Sequence, residues 1–277
     1  MPNPLDQIAG SWGVTPLKQV ADTGHAVVWK TATEGGQPRA LKLYHRTDRG
    51  NEAAGTRLLQ AWRDRGAVRV RAETESAVLM DWLDGPSLGD AARGGDPDRA
   101  LELLAKTARR LHQPPQRTVP GLTPLIEVFA PLFSANFSET CPAPFRQDIQ
   151  RAIALAQTLL DTQPTQTALH GDLHPDNVIL TATGPVVIDA KGYIGDPAFE
   201  LANAIRHPKG MPDLVRRADQ IDRCLAFYAD AMNVSVKRLN QWAVAKCALS
   251  IFWRSDGTIA RDKEADLLHL LLKRADQ

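Results

Sequence analysis

The sequence contains little cysteine, and its few cysteines are widely spaced. Cys141, Cys224 and Cys247 are the three in 277 residues, and no two of them form a Cys-x-x-Cys pair. An odd number of distant cysteines argues against a disulfide framework and against a structural zinc site. This cysteine usage is typical of a reducing compartment, so we expect a cytoplasmic protein.

Long apolar runs and an excess of one charge are also lacking. The apolar stretch "AVAKCALSIFW" is interrupted by Lys246 and is too short to cross a bilayer. The start, "MPNPLDQIAGSWG", lacks the pattern of a secretory signal. Because 33 basic residues face 32 acidic ones, the formal charge is +1 and gives no electrostatic basis for binding nucleic acid or a membrane surface. We expect neither as a partner, and no obligate protein partner is evident.

The predicted elements divide the chain into a small β-rich part and a larger helical part. The N-terminal part has short runs of strand composition that predict roughly five strands, with one helix, "NEAAGTRLLQAW", after the third. The segment "LDGPSLGDAARGGDPD" follows and is typical of a connection. Amphipathic helices dominate the remainder; Asp96 before Pro97 marks the start of one of them. We predict an α+β protein with two lobes, residues 1–83 and 84–277.

One stretch, "LHGDLHPDNVILTATGPVVIDAKGYIGDP" at 169–197, carries polar groups at the ends of two β-branched runs. Asp172 and Asn177 are five positions apart in the pattern His-x-Asp-x-x-x-x-Asn, and Asp189 ends the second run. A hairpin through "TATG" would place Asn177 beside Asp189. Phosphoryl transfer needs a carboxylate that receives the proton of the attacking hydroxyl, and hard oxygen ligands for Mg²⁺. The spacing predicts Asp172 as the catalytic base and Asn177 and Asp189 as magnesium ligands.

A nucleotide-dependent kinase also needs a lysine on the third strand, paired with a glutamate on the next helix. "RALKLY" supplies Lys42, and Glu52 lies early in the predicted helix that follows. Each residue has a simpler interpretation, because lysine protects edge strands and an acidic first turn suits the helix dipole. Since both occur in the required order before the catalytic loop, we predict that Lys42 and Glu52 position the phosphates of ATP.

The segment "SAVLMDWLDG" falls where a kinase has the hinge between its lobes. From position alone, we expect Met80 near the adenine edge, and the backbone of Asp81 and Leu83 paired with the purine. A Gly-x-Gly-x-x-Gly loop is absent, and Gly24 is the single glycine between the first two predicted strands. Backbone N–H groups near it are candidates for phosphate contact.

Two features of regulated protein kinases are missing. Gly171 occupies the place of the arginine that reads a phosphorylated activation loop, and no Ala-Pro-Glu follows Asp189. These absences favour a constitutive kinase that acts on a small molecule.

"HGDLHPDN" together with "VIDAKGYIGDPAFELANAI" resembles the aminoglycoside phosphotransferases. Within them the resemblance is to the streptomycin 6-kinase branch, labelled aminoglycoside/hydroxyurea antibiotic resistance kinase. "ADTGHAVVWK" and "RGAVRV" extend it over most of the chain. The resemblance implies a protein-kinase-like bilobal fold, and phosphorylation of an aminocyclitol hydroxyl that depends on ATP and Mg²⁺.

The same resemblance implies the roles already given to the five core residues, and it adds residues around the catalytic loop. Asp196, in "GDP", matches a motif found beside that loop in these families. Glu200 stands where the family often has Asp. We expect both, together with His170, to brace the catalytic loop.

A streptomycin-like acceptor carries guanidinium groups, which favours a pocket with carboxylates and aromatic faces. "FWRSDGTIARDKEAD" offers Trp253 and Asp256, with Asp262 and Glu264 close by, but its interleaved basic residues are more typical of a solvated helix surface. Three functions stay open. The protein is a kinase for such an acceptor, a kinase for another small metabolite such as a sugar, amino alcohol or fructosamine, or a kinase-fold module that binds nucleotide without catalysis.

Overall fold

A computed structural model describes residues 3–46, 49 and 52–276. The first lobe has a five-stranded antiparallel sheet in the order β1-β2-β3-β5-β4. Its strands are β1 (Val14–Asp22), β2 (Ala26–Thr33), β3 (Pro38–Tyr44), β4 (Val70–Glu73) and β5 (Ala77–Asp81). Helix α1 (Pro4–Ser11) precedes the sheet, and α2 (Glu52–Ala61) follows β3. The five strands and α2 occur as predicted; Asn51, at the start of the predicted helix, lies outside the described residues.

Helix α1 is an addition to the prediction. The Asn3 side chain caps it by accepting a hydrogen bond from the Leu5 backbone N–H at 3.1 Å. Leu5 and Ala9 pack against Leu41 and Leu79 of the sheet. With only eight residues, the helix is too short for its apolar spacing to stand out from the sequence.

The second lobe is mostly helical, as predicted. Its helices are α3 (Leu88–Arg93), α4 (Pro97–Leu111), α5 (Leu125–Phe129), α6 (Ala143–Asp161), α7 (Pro212–Arg216), α8 (Ala218–Met232), α9 (Val236–Arg254) and α10 (Ala265–Ala275). Asp96 caps α4 by accepting from Arg99 N–H at 3.2 Å. Extended backbone at Arg217 separates α7 from α8. The lobe boundary after residue 83 stays a prediction.

Short strands place the catalytic segment between these helices. They are β6 (Thr123–Pro124), β7 (Asn136–Phe137), β8 (Thr167–Leu169), β9 (Val178–Thr181), β10 (Gly184–Val187), β11 (Tyr193–Gly195) and β12 (Thr258–Ile259). Strands β9 and β10 form the predicted hairpin. Strand β11 pairs antiparallel with β8, so the chain after Asp189 returns beside the strand that leads into Asp172. Short 3₁₀ helices cover 63–65, 130–134, 175–177, 197–199 and 202–206.

Helix α9 runs through the core of the second lobe. Twelve of its 19 residues are buried, and its apolar residues lie on all sides, which is typical of a helix surrounded by protein. Trp242 is wholly buried and packs against Phe129 and Phe199 with ring centroids 5.6 and 5.5 Å apart. Among the described helices, none combines the length and the hydropathy that a membrane span requires.

Candidate active site

A cavity of about 470 Å³ lies between the two lobes, a volume within the range of small-molecule pockets. The turn between β1 and β2, together with β3 and β5, forms one wall, and β9 with residues 188–191 forms the other. The residues predicted from sequence for nucleotide and metal all line it: Lys42, Glu52, Met80, Asp81, Leu83, Asn177 and Asp189. Lys42 and Asp189, 147 positions apart in sequence, thus share one cleft.

Lys42 extends from β3 into this cleft and contacts two carboxylates. Its Nζ lies 2.7 Å from Glu52 Oε2 and 2.6 Å from Asp189 Oδ1. A second lysine, Lys191, places its Nζ 2.9 Å from Glu52 Oε1. Glu52 therefore bridges two ammonium groups, one from each lobe.

The opposite charges in this cluster outweigh the cost of burying them. Burial alone would lower the pKa of Lys42, but the carboxylates of Asp189 and Glu52 raise it above its ordinary value. Burial would likewise raise the pKa of Glu52, and Lys42 and Lys191 lower it instead. The pKa of Asp189 is lowered in the same way. All four groups are therefore charged at neutral pH.

Two glycines allow helix α2 to sit directly on the backbone that carries Asp189. A Cβ on Gly55 would lie 1.7 Å from the Ala190 carbonyl oxygen. A Cβ on Gly192, whose φ is +72°, would lie 2.4 Å from the Ala54 carbonyl carbon. Asp189 itself has left-handed backbone with φ 59°, an uncommon conformation for a non-glycine residue at the centre of a site.

Asp172 lies in the loop after β8, and neutral groups hold it. Its Oδ1 accepts a hydrogen bond from Asn203 Nδ2 at 2.8 Å, and its backbone carbonyl accepts one from Asn177 Nδ2 at 3.0 Å. Its Oδ2 lies 3.8 Å from His174 Nε2. Burial would raise the pKa of Asp172, but His174, Lys246 and Lys191 hold it well below its usual range. The carboxylate is therefore ionised, with Asn203 bonded to its Oδ1 and His174 on its Oδ2 side.

His170 and Glu200 support this loop from inside the second lobe. Glu200 is buried, and its two oxygens accept from the backbone N–H groups of His170 and Gly171 at 3.0 and 3.3 Å. His112 Nε2 bonds the same carboxylate at 3.0 Å. His170 Nε2 bonds the Ile188 carbonyl at 2.9 Å, which ties the catalytic loop to the residue before Asp189.

Asp196 supports the segment that follows the loop carrying Asp172. Its carboxylate accepts from Trp242 Nε1 at 2.8 Å and from Arg238 Nε at 2.5 Å, and it caps the 3₁₀ turn at 197–199. These contacts fasten the segment after the catalytic loop to helix α9. The bracing role expected for Asp196 fits this position and stays a prediction.

Around Asp172, the structure adds residues that the sequence reasoning missed. Arg206 donates to Asn203 Oδ1 at 2.7 Å and to Glu264 Oε2 at 2.6 Å, and so orients the amide that holds Asp172. Lys246, on α9, is buried and donates to Ser250 Oγ at 3.1 Å. Burial, and then the charge of Arg206, lowers the pKa of Lys246 to about 8.

The residues proposed for the acceptor occupy the far end of α9. Trp253 is 47% exposed, and the ring faces Lys246 Nζ at 4.7 Å. Asp256 is exposed, with φ 50°, in the turn that follows the helix. Neither is among the residues that line the cavity between the lobes. Asp262 and Glu264 are both bound by Arg254, so their charges are already compensated.

Signals for some missed residues were present in the quoted motifs. Lys191 stands in "DAKG" and Asn203 in "ELANAI", beside residues that were assigned. Arg206 and Lys246 carry no such signal, because their importance depends on how α9 packs behind the catalytic loop.

A family model now gives this geometry a context. The model for aminoglycoside/hydroxyurea antibiotic resistance kinases matches residues 11–257. The chain belongs to this family. Streptomycin 3''-kinase of Klebsiella pneumoniae is 34% identical over 226 residues, which cover 79% of this chain and 81% of that protein. Streptomycin 6-kinase of Streptomyces griseus is 28% identical over 226 residues, 79% of this chain and 71% of that one.

Solved structures show the same fold. LicA in complex with AMP superposes with a TM-score of 0.69 and 15% identity over 98% of this chain and 96% of its own. The choline kinase LicA from Streptococcus pneumoniae superposes with a TM-score of 0.66 and 13% identity over the same shares. The family and the protein-kinase-like bilobal fold predicted from the sequence are confirmed. This family member is a phosphotransferase, and the hypothesis of a module without catalysis is set aside.

Proposed function

We propose that this kinase transfers the γ-phosphoryl group of ATP to a hydroxyl group of an aminoglycoside-like acceptor of the streptomycin type. The observation that carries the proposal is that Lys42, Glu52, Asn177 and Asp189 line one cavity, and that Asn177 joins this cavity to Asp172, which is not among the lining residues. Lys42 and Glu52 are paired on one side, Asp189 contacts Lys42, and Asn177 joins the metal side to Asp172 through one hydrogen bond.

The adenine of ATP occupies the apolar end of the cavity. Met80 and Ile188 line that end from the two lobes, with Val28 and Ile179 nearby. The Asp81 backbone N–H already donates to the Arg69 carbonyl at 3.0 Å, and the Asp81 carboxylate accepts from Arg71 at 2.7 and 2.9 Å. The purine therefore accepts its hydrogen bond from the backbone N–H of Leu83. The Asp81 side chain stabilises the hinge through its ion pair with Arg71.

The donor set fits a magnesium ion, which accompanies ATP in this chemistry. The Nδ2 of Asn177 is used by the Asp172 carbonyl, so its Oδ1 is left as a ligand, and Asp189 offers a carboxylate in the same cavity. Both are hard oxygen donors of the kind Mg²⁺ prefers. When bound, the ion neutralises charge that develops on the phosphate oxygens.

The catalytic step follows from the placement of Asp172. The acceptor oxygen forms a bond to the γ-phosphorus as the bond from that phosphorus to the β–γ bridging oxygen breaks, and ADP leaves with the bonding pair. The hydroxyl proton passes to the Asp172 carboxylate. Asn203 keeps that carboxylate directed at the acceptor by holding its Oδ1.

The acceptor site lies beyond Asp172, towards α9 and the segment after it. Trp253 and Asp256 remain the proposed contacts, the former as an aromatic face and the latter as a carboxylate for a guanidinium group. Lys246 already lies over the Trp253 ring, so a cationic acceptor competes with it for that face. We place the enzyme in the cytoplasm, where ATP is available.

The test is ADP release by the purified protein with Mg²⁺ and ATP, with and without streptomycin. We expect release that depends on streptomycin, a product one phosphoryl group heavier by mass spectrometry, and loss of both in Asp172→Ala. Nucleotide binding without any release on addition of streptomycin would contradict the proposed acceptor. A panel of sugars, amino alcohols and fructosamines in the same assay then tests the alternative kinase hypothesis.

A further inference from the structure

Lys191 is a second lysine in the cleft, and the mechanism above does not use it. It lines the cavity, and its side chain is 22% exposed. Its Nζ contacts Glu52 Oε1 at 2.9 Å, while Lys42 holds the other oxygen of the same carboxylate. Two lysines therefore share one glutamate where the predicted arrangement needs only one.

The position of Lys191 is fixed by its backbone. Its N–H donates to the His170 carbonyl at 2.7 Å, which attaches it to the catalytic loop two residues before Asp172. Gly192, directly after it, packs on the backbone of α2. Lys191 thus stands on a rigid segment between the metal ligand Asp189 and the catalytic base.

The charges of this cluster balance only before nucleotide binds. Lys42 and Lys191 face Glu52 and Asp189, two cations against two anions. With Asp189 committed to a metal ion, Glu52 alone faces two ammonium groups, so one of them is available to a phosphate group. Lys42 extends from the first lobe. Lys191 belongs to the second lobe, and its charge contributes to lowering the pKa of Asp172.

We propose that Lys191 binds the γ-phosphoryl group of ATP, leaving Glu52 to Lys42, which holds the inner phosphates. The inference rests on the proposed function. The γ-phosphorus must lie between Asp189 and the acceptor oxygen at Asp172, and Lys191 follows Asp189 by two residues with its backbone bonded to the loop that carries Asp172. During transfer the ammonium of Lys191 stays protonated and donates hydrogen bonds to a γ-phosphoryl oxygen, so it stabilises the charge that spreads onto that group.

The test compares ATP with ADP, because only ATP carries the γ-phosphoryl group. Dissociation constants for both, with Mg²⁺ and without acceptor, are measured by calorimetry for the wild type and for Lys191→Met. We expect the variant to bind ATP about tenfold more weakly and ADP within about twofold of the wild type, since one charged contact to phosphate is worth about that much. Lys191→Arg should restore most of the ATP affinity.

Two control variants separate this role from others. Lys42→Met should weaken ATP and ADP alike, because its partner phosphates are present in both. Lys106→Met removes one exposed lysine on α4, far from the cleft by its place in the fold, and should change neither constant.

Equal losses of ATP and ADP affinity in Lys191→Met would show that Lys191 only holds Glu52, and would overturn the proposal. Unchanged constants would overturn it as well. A wild type that binds neither nucleotide would instead contradict the proposed function, and the inference with it. If the wild type binds both nucleotides but phosphorylates no acceptor, the proposed function fails. The ratio of the ATP and ADP dissociation constants in Lys191→Met still decides whether Lys191 binds the γ-phosphoryl group.

Discussion

The two carboxylates at the centre of the site, Asp189 and Asp172, are held in opposite ways. Asp189 is bound by a full charge, with Lys42 Nζ 2.6 Å from its oxygen. Asp172 is bound by a neutral amide, Asn203 at 2.8 Å, and the nearest cation in that chain of contacts, Arg206, acts through the amide.

The difference fits the roles proposed for the two carboxylates, Asp189 as a metal ligand and Asp172 as the base. A metal ligand can rest against a lysine, because the incoming cation replaces one positive partner with another. Asp172 takes its short hydrogen bond from a neutral amide, and Lys246 and Lys191 lower its pKa through their charges rather than as hydrogen-bond partners. Direct ion pairs therefore hold Asp189 on one side of the site, whereas on the other side a neutral amide directs Asp172 and the cations act on it from further away.

The largest loss of turnover is expected when each carboxylate is removed in turn. Asp172→Ala should reduce turnover on the order of 10²–10⁴-fold, the range for a positioned acid or base, and leave Mg²⁺·ATP affinity nearly unchanged. Asp189→Ala should reduce turnover as strongly and also weaken Mg²⁺·ATP binding. Steady-state kinetics with calorimetry measures both; a loss of nucleotide affinity in Asp172→Ala would show that the two carboxylates are not separated in role.

Lys246, buried near Asp172, carries a charge that destabilises the folded state. Its folded pKa, about 8, lies below the ordinary 10.5, so the folded state releases the proton more readily than the unfolded chain. The charged amine therefore destabilises the fold fully below pH 8, and the cost disappears as pH rises to 10.5. Lys246→Met should raise the free energy of unfolding at pH 7 by about 3 kcal/mol, from the size of that pKa change.

Denaturant unfolding at pH 7 and pH 10.5 measures this difference for wild type and variant. Lys106→Met, on an exposed helix face, should stay within about 0.5 kcal/mol of the wild type at both pH values. A gain in Lys246→Met that does not shrink between pH 7 and pH 10.5 would mean that folding does not lower the pKa of Lys246 and that the gain comes from packing.

The ion pairs of Glu52 with Lys42 and Lys191 depend on the close backbone contact between α2 and Ala190. Gly55→Ala should force α2 away from Ala190, cost about 1–3 kcal/mol of stability through overpacking, and displace Glu52 from both lysines. Thermal unfolding and ATP affinity should both fall. Gly10→Ala is the matched control, because a Cβ at Gly10 of α1 meets nothing within 4 Å, and alanine should be neutral or stabilising there.

The smallest effect is expected for Asn203→Ala. The change removes the donor to Asp172 Oδ1 while leaving the base in place, and it should lower turnover about tenfold, the worth of one hydrogen bond to a charged group. ATP affinity should not change. Asn240→Ala removes another buried amide, bonded to the Leu271 carbonyl, and should reduce stability without reducing turnover.

The difference between the two sides also explains what the sequence could predict. Asp172, Asn177 and Asp189 lie within one loop and one hairpin, so their spacing nearly determines their proximity. Lys42 and Glu52 followed from the order of elements in a kinase. Lys191 stands beside Asp189 in the same motif, but its role was missed because it comes from a contact with Glu52, 139 positions away.

The neutral side was less predictable. Lys246 and Trp253 are seven positions apart on α9 and therefore share a face, so the lysine covers the ring that was assigned to the acceptor. Asn203 and Arg206 belong to a short 3₁₀ turn whose position depends on how α9 packs. Asn203 stands within a quoted motif, whereas the roles of Arg206 and Lys246 arise from tertiary packing and leave no local signature.

Helix α2 meets residues 190–192 backbone against backbone at Gly55 and Gly192. A helix seated on side chains can rotate as those side chains change rotamer, but one seated on main chain moves only together with its seat. Outward rotation of α2 would therefore carry off the segment that supplies the metal ligand, and no resting form is reachable by moving the helix alone. A compound that wedges between α2 and this segment would therefore have to displace Asp189 together with the helix.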